Sequence, residues 1–223
     1  FIKSPREDKH YPLASINLSK PHNTIYIVPV TYPYIWALNG SSNKLAEEFN
    51  YKRKGTVSAI SEHGDFLYIV RAGEEFIKFD IKAKEVVSVL PIPVNSIPFI
   101  DEKNNLIFVA TSYKLYVIDL KTFKIKDERE DIPFSAAIFG ASIALNPTTN
   151  HLFVPTYNDS VSVVDVNTMK IITTIKVGQT VKGIAVNSKT NKVYVTLVNE
   201  NNKVVVIQDS VPQTEEQKPK IKK

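Results

Sequence analysis

Four histidines, His10, His22, His63 and His151, are the side chains best suited to acid–base or metal chemistry, and no two of them sit at paired-ligand spacing. A metal set needs two or three converging imidazoles, thiolates or carboxylates. His22, His63 and His151 fall in turn-forming stretches well separated along the chain, so they read as solvated turn residues. Cysteine is absent, which removes thiolate ligands, thiol nucleophiles and disulfides at once. Carboxylates cluster at Glu47–Glu48 and at Asp127–Asp131, but neighbours on a strand point to opposite faces and rarely share a site. There is no G-x-S-x-G elbow and no phosphate-cradling glycine loop, and the chain holds only seven glycines. The sequence therefore predicts no catalytic residue, no metal site and no cofactor, and it does not read as an enzyme.

Asp80, Asp119 and Asp165 recur in register and admit two readings. Three carboxylates around a channel would hold a cation. Alternatively, each accepts backbone N–H groups in the tight turn that follows, as Asp often does. The following residues, DIKAKE, DLKTFK and DVNTMK, favour the turn.

These residues must be positioned by repeated elements. An aromatic recurs at Tyr26, Tyr68, Phe108, Phe153 and Tyr194, at spacings of 42, 40, 45 and 41 residues, which is the period of a repeat architecture. Around each aromatic runs a Val-, Ile- and Phe-rich stretch alternating at period two and bounded by Asn, Pro, Thr and Lys turns such as NPTTN and NSKTN. Each copy reads as four short antiparallel strands. Such a unit cannot bury both faces alone, so copies must stack, and radial stacking gives an all-β propeller of four-stranded blades. Five blades are expected, over about 14–55, 56–95, 96–134, 141–181 and 182–210, with part of a larger propeller as the alternative. Residues 1–13 are a candidate ring-closing strand. Residues 211–223 read as a polar basic tail that leaves the last blade without a fourth strand. All five aromatics are expected in the core.

The stretches SIALNPTTNHLFVPTYNDSVSVVDVNTMKIITTIKVG (142–178) and GIAVNSKTNKVYVT (183–196) resemble the YVTN-type β-propeller repeat of surface-layer and related secreted proteins. Leu197 stands where the family phrase has Asn, and Pro155 interrupts copy four. The resemblance implies an extracellular or cell-surface location; a virion is the alternative that goes with a structural role. Residue 1 is Phe, so the chain is expected to start after a processing boundary.

Loops joining second to third strands share a face with the links between blades. On that face the sequence places Tyr32, Tyr34, Trp36, Arg71, Tyr113, Phe139 and Tyr157, aromatics and a cation suited to a protein or carbohydrate partner. The expected function is a non-enzymatic interaction module; a structural component of a larger, self-assembling layer or archaeal virion is the alternative, and an enzyme or small-molecule binder using the axial channel is the third reading. The net charge is +5, and +3 without residues 211–223, too little to suggest a nucleic-acid surface. The longest nearly uncharged stretch, Phe134 to Leu145, is too short for a membrane span. Asn17, Asn39 and Asn158 begin N-x-S sequons.

Overall fold

The structure is a computed structural model that describes residues 13–30, 32–111, 113–132, 142–157, 159–178, 180–198 and 203–210. Phe139, Asn158, the segment 1–12 and the tail 211–223 lie outside the described residues.

Among the described residues nineteen strands form five antiparallel sheets, each made of consecutive strands. The first holds β1 (Leu13–Ser19), β2 (Thr24–Pro29), β3 (Tyr34–Asn39) and β4 (Leu45–Asn50). The second holds β5 (Val57–Ile60), β6 (Phe66–Arg71), β7 (Glu75–Asp80) and β8 (Glu85–Leu90). The third holds β9 (Phe99–Asp101), β10 (Leu106–Ala110), β11 (Leu115–Asp119) and β12 (Lys124–Arg129). The fourth holds β13 (Ala144–Asn146), β14 (His151–Thr156), β15 (Ser160–Asp165) and β16 (Lys170–Lys176). The fifth has three strands, β17 (Thr180–Asn187), β18 (Lys192–Val198) and β19 (Val204–Gln208).

The first strands of successive sheets lie side by side, β1 with β5, β5 with β9 and β13 with β17. That puts the innermost strands near one axis, and the contacts there are polar. Ser15 Oγ lies 2.5 Å from Ser58 Oγ, and Asn17 Nδ2 donates to Ser58 Oγ at 2.7 Å. Asn17 is thereby buried between two blades, which removes it as a glycosylation acceptor.

Repeated turn chemistry sets the strand ends. Asn23, Asn105, Asn150 and Asn191 all take positive φ three residues before the landmark aromatic of their blade, a conformation that Asn tolerates better than most residues. At the other hairpin, Asn39, Asp80, Asp119 and Asp165 cap the turn. Their side-chain oxygens accept backbone N–H groups from Ser41 and Ser42, from Ala83, from Thr122, and from Asn167 and Thr168, at 2.7–3.0 Å. The aspartates are turn caps, as the turn reading predicts.

Hydrogen bonds from the Thr122 backbone and then its hydroxyl hold the Asp119 carboxyl below its ordinary value of 3.8. A depressed carboxylate stabilises the fold above its unfolded value and loses that contribution as pH falls through the folded one. Wild type should therefore lose stability more steeply below pH 3.8 than Asp119→Asn, read as urea midpoints across an acid series. Parallel curves would contradict this role.

Packing between blades is apolar and sequential. Tyr26, Val28, Ile35 and Phe49 of the first sheet pack on Leu67, Ile69, Ile77 and Phe79 of the second. Tyr68, Val70 and Phe76 pack on Ile107, Val109, Tyr116 and Ile118 of the third. Phe108, Leu115 and Val117 meet Leu152, Val154 and Val164 of the fourth. Phe153, Val161 and Val163 meet Val181, Val193 and Val195 of the fifth. In the first four blades the landmark aromatic thus points at the following blade, and these four are core residues as expected. Tyr194 is not. It is 37 % exposed, because no sheet among the described residues covers the outer face of the fifth.

Candidate binding surfaces

Two regions combine exposure with side chains able to grip a partner: the face of the loops between second and third strands, and the outer face of the fifth sheet. The first is held together across blades by charge. Arg53, in the link from β4 to β5, donates through Nη1 to both carboxylate oxygens of Glu75, at 2.6 and 2.7 Å. Arg71 pairs with the same Glu75 at 3.2 Å and with Glu74 at 2.6 Å. Both arginines are about one-third exposed, so these pairs fix loop geometry more than they add stability. Arg71 does lie on the predicted face, but it is committed to its own hairpin.

The aromatic residues expected there divide into two groups. Tyr113 is 79 % exposed, at the tip of the loop from β10 to β11, where the Thr111 hydroxyl accepts the N–H groups of Tyr113 and Lys114 at 3.2 and 3.1 Å. Tyr157 is likewise exposed at the end of β14. Tyr32 and Trp36 are instead buried, joining Ile27 and Leu38 in an apolar cluster on the first sheet. Tyr32 stacks on Tyr34 with ring centroids 4.7 Å apart, and Trp36 Nε1 donates to Glu48 Oε2 at 2.8 Å. The reason is strand register: β3 begins at Tyr34, so Trp36 lies within the strand and takes a sheet-facing position, not a loop tip. Lys114, beside Tyr113, pairs with Glu128 and Glu130 at 2.9 and 3.2 Å, and the two carboxylates raise its pKa.

The second region escaped the sequence reading. Strands β17 to β19 alternate buried and exposed residues along their length, whereas the inner pairs β6/β7, β10/β11 and β14/β15 are buried on both faces. The exposed side presents the cross-strand row Ala185, Tyr194 and Val206, with Thr196 and Val204 beside it. Val204 and Val206 are more than half exposed. Strand β19, Val-Val-Val-Ile-Gln, has no fourth strand on its outer edge among the described residues. An uncharged edge of this kind is a ready template for further β-pairing.

His151 also departs from expectation. It opens β14 and is buried, with Nδ1 2.7 Å from Asp209 Oδ1. Asn146 Nδ2 and Thr149 Oγ1 donate to the other oxygen of Asp209 at 2.6 and 2.5 Å. The turn that should have left this histidine in water is closed over by the end of the fifth blade. Among the described residues no group of three or more His, Asp or Glu side chains could hold a metal ion. No helix among them is long and apolar enough to cross a membrane.

No protein-family model matches the chain, and no curated protein matches it in sequence. Among solved structures it is similar to Kuenenia stuttgartiensis hydrazine synthase, at 17 % identity and a TM-score of 0.73, over 94 % of this chain and 67 % of that one. It is also similar to the β-propeller domain of Myceliophteria thermophila Cps50 (Swd1), at 13 % identity and a TM-score of 0.68, over 85 % of this chain and 63 % of that one. The chain spans about two thirds of the length of these structures, and at such identities the likeness is one of fold: this is an all-β propeller chain of five blades.

Proposed function

We propose that the chain is a non-enzymatic interaction module whose partner is a protein docking on the outer face of the fifth sheet. The observation that carries this reading is the exposure of Tyr194, Val204 and Val206 in a chain whose other landmark aromatics are all covered by a following blade. Contiguous apolar surface of this sort marks a contact site in soluble proteins. The exposed Tyr113 and Tyr157 form the secondary surface, suited to a protein or glycan. The YVTN-like wording of copies four and five supports an extracellular or cell-surface setting, with an archaeal virion as the alternative. A second reading, a structural component that assembles with its own copies, is favoured by the unpaired edge of β19.

A photo-crosslinking residue at position 194 is expected to capture a partner in the native setting more strongly than one at position 113. Sedimentation velocity of the purified chain distinguishes the two readings. Mass that rises with concentration, and does not do so in Tyr194→Lys/Val206→Lys, identifies the partner as a second copy. A chain that stays monomeric and yields no crosslink from position 194 overturns both.

A further inference from the structure

In each blade the landmark aromatic faces a residue of the third strand across the ladder: Tyr26 opposite Ala37, Tyr68 opposite Lys78, Phe108 opposite Val117, Phe153 opposite Val163 and Tyr194 opposite Val206. In the four complete blades this residue also begins the bulge between third and fourth strands. Four blades fill the position with Ala or Val, and the second fills it with Lys. A charge between two blades opposes the packing that the repeat otherwise enforces, and such local violations are where function is expected.

Lys78 is 9 % exposed. Its Nζ lies 4.2 Å from the centroid of the Phe66 ring and 6.0 Å from that of Tyr68. Among the described residues its one hydrogen bond is a long one, donated to the Leu120 carbonyl at 3.4 Å. Asp80 and Asp119 act on it only at longer range, and burial lowers its pKa. An ammonium has three N–H donors, and two are left without an acceptor among the described residues. Lys78 lines a cavity of about 400 Å³ at the junction of the second and third blades. Phe66, Tyr68 and Leu120 give the cavity an apolar wall, while Lys121, Asp65 and Glu102 bring charge of both signs to it. One oxygen of Glu102 takes the Glu62 N–H at 2.5 Å, which leaves the other available.

We propose that this cavity binds an amino-acid-sized zwitterion. Its carboxylate accepts the spare N–H groups of Lys78, its ammonium meets Glu102 and Asp65, and its side chain covers the apolar wall. A cavity of this size suits a small metabolite. The inference goes beyond the protein-docking reading and shares no residue with the fifth-sheet face.

The test is a thermal-shift and calorimetric screen of the protein amino acids, with phenylacetate and phenethylamine as probes lacking one charge each. At least one amino acid is expected to raise the melting temperature of wild type, with no effect on Lys78→Met. That variant keeps the length of the side chain and removes a buried charge, so it is expected to fold and to melt no lower than wild type. No shift with any amino acid, or a shift retained in full by Lys78→Met, overturns the proposal. So does a screen in which either single-charge probe binds as tightly as the best-bound amino acid.

Discussion

Replacing Phe108 with alanine is expected to remove about 3–5 kcal/mol of stability, while Tyr194→Ala removes less than about 1 kcal/mol. The two residues hold the same register position in their blades, so sequence alone gives no ground for the difference. Phe108 is fully buried and faces Leu152 and Val154 across the joint between third and fourth sheets. Its removal leaves a cavity that packed strands on both sides cannot collapse to fill. Tyr194 faces outward, with no blade beyond it among the described residues, and water takes the place of the lost ring. Urea unfolding of the two variants measures the contrast directly. Equal losses would mean that the fifth sheet is covered in the way the others are.

Asp209→Ala is expected to cost a similar amount, about 3–5 kcal/mol, through a different mechanism. The carboxylate accepts from Asn146 and Thr149 and contacts the His151 ring, and His151, Asn146 and Asp209 are all buried. Its removal leaves the buried Asn146 amide and His151 ring without their carboxylate partner. The Asp209 N–H also donates to the Asn191 carbonyl at 2.8 Å, so the residue ties the end of β19 to the turns of both the fourth and fifth blades. Hydrogen exchange should therefore show the fifth sheet opening first in Asp209→Ala, with the second sheet keeping its protection. Uniform loss of protection would argue against a local fastening.

The blade count and the aspartate caps were legible in the sequence because they depend on local chemistry repeated from blade to blade. A period of forty-odd residues, turn-forming residues before each aromatic, and a capping oxygen after the third strand of the first four blades all follow from residue type and spacing. Features that depend on neighbours were not legible. The landmark of the fifth copy carries the same signal as the others, but whether Tyr194 is buried depends on a sheet that it does not encode. His151 looks like a turn residue until Asp209, far along the chain, closes over it. Trp36 reads as a loop residue from its aromatic neighbours, whereas β3 already begins two residues before it, at Tyr34. Lys78 is plain in FIKFD once the five ladders are superposed, but its surroundings come from the third blade.

Each of the first four landmark aromatics points at the next blade, and the last faces a side that no sheet among the described residues covers. Hydroxyl-radical footprinting of the unmodified chain in dilute solution reads this from the native side chains. Tyr194 should label readily, at a rate between that of the more exposed Tyr113 and those of Tyr26, Tyr68, Phe108 and Phe153, which stay protected. Protection of Tyr194 equal to theirs in the dilute monomer, or ready labelling of the other four, would contradict the arrangement.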